Sequence, residues 1–184
     1  MATTTDLMTL EQYAAHIDTD ERYVTDLVRG VLVREPRPGD PHGSMQLALG
    51  YHLSGWARAH GARVTAESGY ILAENPPTLR GPDLAVVVVP RSSKGQPGGW
   101  IRGAPDVAVE ILSPSDRSSG IQEKTLDYLA AGARLVWIVD PRARTVTVFR
   151  ADGTARLLRE SDTLDGEGVL GGFSVALAEL FSAI

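Results

Sequence analysis

Three short apolar runs constrain the fold of this chain more than any other feature. They lie at 83–89, 106–112 and 134–140, and the first contains four consecutive valines. Runs this short and this apolar are typical of strands that are covered on both faces. Apolar residues recur at helical spacing in 42–60 and 121–131, whereas "ENPPTLRG" at 74–81 reads as a turn. The order of the segments predicts an α/β (α+β) fold, with a central mixed sheet flanked by helices.

Length and composition narrow the class of protein. The 184 residues suit a single domain, 1–184, and the absence of cysteine excludes disulfides and thiolate metal sites. No apolar run approaches the roughly 18 residues that span a bilayer, and the N-terminus lacks the features of a signal peptide, so we expect a cytoplasmic protein. The net charge of −5 argues against nucleic-acid binding through a general basic field, although it leaves a local basic groove open.

One buried strand carries an ionisable residue in its middle. In "APDVAVEILSPSD", Val107, Val109 and Ile111 alternate to one face, so Glu110 points to the other face, between apolar neighbours. A buried carboxylate without a partner costs several kcal/mol or changes its protonation state. Glu110 therefore needs an arginine, a lysine or a metal ion nearby.

A second Pro-Asp pair supplies a candidate partner for this site. Asp83 begins the strand "GPDLAVVVVP", 27 residues before Glu110, and the two carboxylates converge if the strands are neighbours. Lys124, one of only two lysines in the chain, follows on the next predicted helix. Two carboxylates that hold Mg²⁺ beside a lysine are typical of a phosphodiesterase site. Purely structural roles for both carboxylates stay open, because Asp after Pro often only caps a turn and a buried Glu often pairs with Arg.

Ordered along nearly the whole chain, several segments resemble one known family. These are "MTLEQY", "DLVRGVLV", "PHGSMQLALGYHL", "GPDLAVV", "APDVAVEILSPSD", "EKTLDYLAAGARLVWIVDP", "TVTVFR" and "GGFSVALAELF". Together they resemble the restriction-endonuclease-like proteins of the PD-(D/E)XK nuclease superfamily. The resemblance implies a restriction-endonuclease-like fold and a Mg²⁺-dependent DNA endonuclease, with Mn²⁺ as an alternative ion. It also implies metal ligation by Asp83, Glu110 and the main-chain carbonyl of Ile111.

The chain departs from the superfamily pattern at two positions. The expected lysine, two residues past the glutamate, is replaced by Leu112, so the resemblance makes Lys124 the candidate catalytic lysine. Asp26 stands where the family has a glutamate in the first hairpin. His42 matches a family histidine that would contact phosphate or assist a proton transfer, although capping or packing would account for a histidine there equally well.

Two other functions remain compatible with the sequence. The first is a catalytically silent module that keeps the fold and binds nucleic acid or protein, which the acidic charge and the replacements at 26 and 112 favour. The second is a hydrolase of a small phosphorylated substrate. We expect DNA as the substrate and a homodimer as the assembly, with neither a membrane nor an organic cofactor as a partner.

Overall fold

The computed structural model describes residues 7–16, 19–89, 91–92, 94 and 96–184. The α-helices are Leu10–Ala14 (α1), Asp40–His60 (α2), Ser118–Ala130 (α3) and Leu177–Phe181 (α4). The first seven strands are Tyr23–Val28 (β1), Val31–Pro36 (β2), Arg63–Ala66 (β3), Tyr70–Glu74 (β4), Pro77–Arg80 (β5), Leu84–Val87 (β6) and Ile101–Arg102 (β7). The remaining strands are Val107–Ile111 (β8), Leu135–Asp140 (β9), Thr145–Arg150 (β10), Ala155–Arg159 (β11), Thr163–Asp165 (β12) and Ser174–Ala176 (β13).

Two mixed sheets organise these elements. The larger sheet has the order β11-β10-β9-β8-β6-β3, and the other has the order β2-β1-β5-β4-β7, while β12 and β13 pair separately. In the larger sheet, β8 and β9 run parallel and the remaining neighbours run antiparallel. A parallel pair needs a crossover connection, and α3 provides it between β8 and β9. This crossover brings α3 close to the strand that carries Glu110.

The larger sheet is buried on both faces, as its apolar strands require. One face packs against α2 through Met45, Leu49 and Leu53, together with the apolar residues of the C-terminal segment. The opposite face contributes Ala108, Val136 and Ile138 to a second cluster, which includes Tyr128 from α3. Alternation along β8 therefore sends Val107, Val109 and Ile111 toward α2, and sends Glu110 toward α3.

The predicted α/β (α+β) fold is confirmed, and the three apolar runs form β6, β8 and β9. The long helix begins at Asp40, with a proline in its first turn, and ends before Gly61 in the left-handed conformation. The turn predicted at 74–81 is confirmed only at 75–76, because Pro77–Arg80 forms a strand between β1 and β4. Proline is tolerated as the first residue of a strand, so the Pro-Pro pair did not prevent pairing. Among the described residues, no helix is both long and apolar enough to cross a membrane.

Candidate active site

Strand pairing brings the two predicted carboxylates together. β6 and β8 are antiparallel neighbours, and Leu84 lies opposite Val109. One further step along each strand sets Asp83 opposite Glu110. The Ile111 backbone N–H donates a hydrogen bond of 2.5 Å to Oδ2 of Asp83. The two Pro-Asp strands are therefore neighbours, and Asp83 and Glu110 line the same cleft.

The buried carboxylate of Glu110 has two partners on α3. Lys124 Nζ donates to Oε2 at 3.0 Å, and the Tyr128 hydroxyl donates to Oε1 at 2.8 Å. Burial raises the pKa of Glu110 to about 7, although the charge of Lys124 acts in the opposite direction. Lys124 and Tyr128 are four residues apart and so share one helix face. The sequence left an arginine, a lysine or a metal ion open as the partner of Glu110, and in the structure a lysine contacts it.

Lys124 reaches the site from the helix rather than from the strand. Leu112, at the position where the superfamily has its lysine, packs against the apolar cluster beneath α3. The ammonium group of Lys124 is buried and also donates to Oε2 of Glu35 at 2.7 Å. Burial alone would lower the pKa of Lys124, but the carboxylates of Glu110, Glu35 and Asp26 raise it above its usual value. The side chain is therefore a fixed positive charge at neutral pH.

His42 and Glu67 surround Asp83 from the other side. His42, in the first turn of α2, is buried and places Nε2 3.1 Å from Oδ1 of Asp83. Burial lowers the pKa of His42, but the hydrogen bond to Asp83 and the negative charges of Asp83, Glu67 and Asp116 together outweigh it and raise the pKa above its usual value. Gln46 Nε2 donates to Oε1 of Glu67 at 2.9 Å and to the backbone oxygen of Asp83 at 2.8 Å. Glu67 has a φ of 52°, a strained conformation for a residue with a Cβ, which is common at functional sites.

Asp26 lies in a separate polar network beside the same site. The Gly81 backbone N–H donates to Oδ1 of Asp26 at 3.3 Å, and Arg80 Nη1 lies 3.4 Å from Oδ2. Arg80 also pairs with Asp127 on α3 at 2.7 Å. Burial raises the pKa of Asp26, while the charges of Lys124 and Arg80 act against it. Asp26 thus links the first hairpin to α3 through Arg80.

A cleft of about 420 Å³ gathers all of the predicted site residues. Its lining contains six carboxylates, against one lysine and one arginine as permanent cations. The carboxylates belong to Asp26, Glu35, Glu67, Asp83, Glu110 and Asp116, and the cations belong to Arg37 and Lys124. This excess of negative charge in a concave, partly dehydrated space favours the binding of cations. A phosphate group would be repelled from the cleft unless a cation accompanied it.

The donor atoms of the cleft suit a hard divalent ion. Among the described residues, no three histidine or carboxylate side chains already converge into a complete metal-ligand cluster. Mg²⁺ usually takes one or two protein carboxylates and keeps several waters, so a preformed cage is not required. Asp83, Glu110 and Ile111 line the cleft together and offer oxygen ligands of the kind that Mg²⁺ and Mn²⁺ prefer. The predicted ligand set therefore fits these ions, and its occupancy stays a prediction.

Three carboxylates of the cleft, those of Glu35, Glu67 and Asp116, were not among the predicted site residues. Glu35 lies between Arg34 and Pro36 in β2, so the local pattern does not mark it as buried, and its contact with Lys124 depends on packing between the first hairpin and α3. Glu67 follows β3 directly, and its nearness to Asp83 depends on pairing between β3 and β6, for which no local pattern gives a sign.

Comparison with known proteins adds a fold match and a family. No curated protein gives a significant match to the chain. A crystal structure described as "a putative nuclease belonging to DUF820" from Anabaena variabilis superposes with a TM-score of 0.81. The identity is 21%, and the match covers 96% of this chain and 98% of that chain, so it shows a common fold. The model of the Uma2 family, described as "Putative restriction endonuclease", matches residues 10–178. The resemblance to restriction-endonuclease-like proteins is thus confirmed, and the chain belongs to the Uma2 family.

Proposed function

We propose that this protein is a Mg²⁺-dependent endonuclease that hydrolyses phosphodiester bonds in DNA, with Mn²⁺ as an alternative ion. One observation carries the proposal: Lys124 Nζ lies 3.0 Å from Glu110, and Asp83 lies opposite Glu110 on the neighbouring strand. Membership of a family described as "Putative restriction endonuclease" supports the reaction class. Lys124 would take the role of the lysine that the superfamily pattern has at the position of Leu112.

Each site residue has a role that follows from its contacts. Asp83, Glu110 and the carbonyl of Ile111 would hold the metal ion, which would polarise a phosphoryl oxygen and lower the pKa of a bound water. Because the pKa of Lys124 is raised, its ammonium acts as a charge and hydrogen-bond donor rather than as a general base. It orients the attacking water or offsets the negative charge that develops on the phosphate.

His42 and Asp26 act beside the metal ligands. The imidazole of His42 lies 3.1 Å from Oδ1 of Asp83, so it fixes the orientation of that carboxylate. To donate to a phosphate oxygen, Nε2 would have to leave Asp83, because Nδ1 is buried away from the cleft. Asp26 helps to keep the ammonium of Lys124 charged, since its carboxylate contributes to the raised pKa of that lysine.

A cleavage assay with matched lysine variants tests the activity. Supercoiled plasmid and single-stranded DNA are incubated with the protein in Mg²⁺ or Mn²⁺. We expect Lys124→Met and Glu110→Gln to lose at least about 100-fold in rate, which is the usual effect of removing one group that stabilises the transition state. Lys94→Met is the control, because Lys94 is the only other lysine and is exposed outside the cleft. Cleavage that survives both changes would refute the proposed site.

Calorimetric titration with Mg²⁺ or Mn²⁺ tests the metal site independently of cleavage. We expect binding by the unaltered protein and its loss in Asp83→Asn, whereas Asp152→Asn, in an exposed turn, should bind normally. The alternative function is a catalytically silent module. It predicts that the protein binds DNA and that neither Glu110→Gln nor Lys124→Met changes the affinity. The homodimer, the single domain and the cytoplasmic location stay predictions.

A further inference from the structure

The cleft has an aromatic wall as well as a charged one. Tyr13 and Trp100 both line it, with their ring centroids 5.4 Å apart and their planes inclined by 35°. The other apolar lining residues include Val24, Pro36, Pro38 and Leu79. Both residues are only partly buried, and both contribute to the lining of the cleft. A flat aromatic surface in a polar cleft matches the face of a nucleobase.

The two rings are held in place before any ligand binds. Trp100 packs directly on the backbone of Gly69 and Gly98, where any Cβ would overlap the indole. The Tyr13 hydroxyl donates to the backbone oxygen of Thr25 at 2.5 Å. A fixed ring loses little conformational freedom on binding, so its contact area converts efficiently into affinity.

Short connections join the aromatic wall to the carboxylates. Gly69, which contacts Trp100, is two residues beyond Glu67. Gln46 in turn bridges Glu67 and the backbone oxygen of Asp83. A nucleotide whose base lies on Trp100 would therefore have its phosphate near the charged wall of the same cleft.

The charge of the cleft indicates which nucleic acid it selects. Six carboxylates face two permanent cations, so general attraction of phosphates is weak, and contact with a base must contribute more of the affinity. In a duplex the faces of the bases are covered by their neighbours, and only an unpaired base can stack on a protein ring. We propose that Tyr13 and Trp100 form a stacking platform for an unpaired base, so that the substrate is single-stranded DNA or DNA with an unpaired segment at the scissile phosphate. This inference rests on the proposed nuclease function and specifies its substrate class.

Binding assays without cleavage test the platform. A fluorescently labelled single strand and a blunt duplex of the same length are titrated with protein in Ca²⁺, and anisotropy gives both affinities. We expect the single strand to bind at least about 10-fold more tightly than the duplex. Trp100→Ala should lose about 10-fold in single-strand affinity, whereas Trp100→Phe, which keeps a ring, should retain most of it. Circular dichroism confirms that each variant is folded.

Trp56→Ala is the matched control, because Trp56 stacks on His60 near the end of α2, outside the cleft. It should bind single strands like the unaltered protein. Equal affinity for both DNAs, no single-strand binding, or full affinity in Trp100→Ala would each overturn the platform. If single-strand binding depends on Trp100 but no DNA is cleaved, the platform stands and the nuclease proposal fails. If duplex is cleaved and Trp100→Ala has no effect, the nuclease proposal stands and the platform fails.

Discussion

Removing the Lys124 ammonium should destabilise the protein by an amount that depends on pH. Lys124 is 8% exposed and contacts Glu110, which is 3% exposed, so Lys124→Met leaves a buried carboxylate without its counter-charge. Taking away one partner of a buried pair typically costs about 3–5 kcal/mol. A carboxyl group can limit this cost by taking up a proton, and the pH decides whether it does.

The direction of the pH effect follows from the raised pKa of Glu110. Burial raises that pKa to about 7, and it rises further when Lys124 is removed, while the unfolded chain keeps a value of about 4.3. A raised folded-state pKa gives stability that is present at low pH and lost as pH rises through the folded pKa. Below about pH 7 the carboxyl group of Glu110 is protonated both in the folded unaltered protein and in folded Lys124→Met. Above it, the difference in unfolding free energy between them should grow by about 1.4 kcal/mol per pH unit.

Urea denaturation in EDTA at pH 6 and pH 9 measures this difference. We expect Lys124→Met to lose about 1 kcal/mol at pH 6, from the lost pair with Glu35, and about 3–4 kcal/mol at pH 9. The double variant Glu110→Gln/Lys124→Met should remove the pH dependence, and exposed Lys94→Met should change stability by less than about 0.5 kcal/mol. An equal loss at both pH values, or a loss below about 1 kcal/mol at pH 9, would refute the reasoning.

Three further substitutions test the network around this pair. Tyr128→Phe removes the hydroxyl that donates to Glu110 at 2.8 Å and should cost about 1–3 kcal/mol in unfolding free energy, measured by urea denaturation. Arg80→Met removes the arginine beside the mostly buried Asp26, leaves Asp127 with Arg29 alone, and should cost about 3 kcal/mol by the same assay, with a smaller loss at acidic pH as Asp26 protonates. Gly69→Ala places a Cβ against the indole of Trp100 and should lower both the thermal midpoint, by calorimetry, and single-strand affinity, by anisotropy. Unchanged values in any of these measurements would contradict the contact concerned.

The local pattern of the chain was enough to predict most of the elements. Four consecutive valines and the alternation around Glu110 predicted β6 and β8, because burial on both faces leaves a strong signal in a short run. The same logic predicted that Glu110 needs a partner, since an unpaired buried carboxylate is costly. The turn predicted at 74–81 is shorter than expected and occupies 75–76, because strand pairing outweighs the turn preference of Pro77.

Only the tertiary structure decided which groups meet at the site. Glu110 had 16 arginines and two lysines as candidate cations, and the β8–α3–β9 crossover selects Lys124 by bringing one face of α3 onto β8. The first hairpin adds Glu35 to the same ammonium from 89 residues away. Trp100 likewise lies in the cleft lining through tertiary contacts, among them those of its indole with Gly69, Gly98 and Tyr13. The sequence alone determined where an ionisable group is buried, because the apolar residues on either side of it indicate burial. The partners of that group depend on which strands and helices become neighbours in the fold, and no local pattern of residues predicts this.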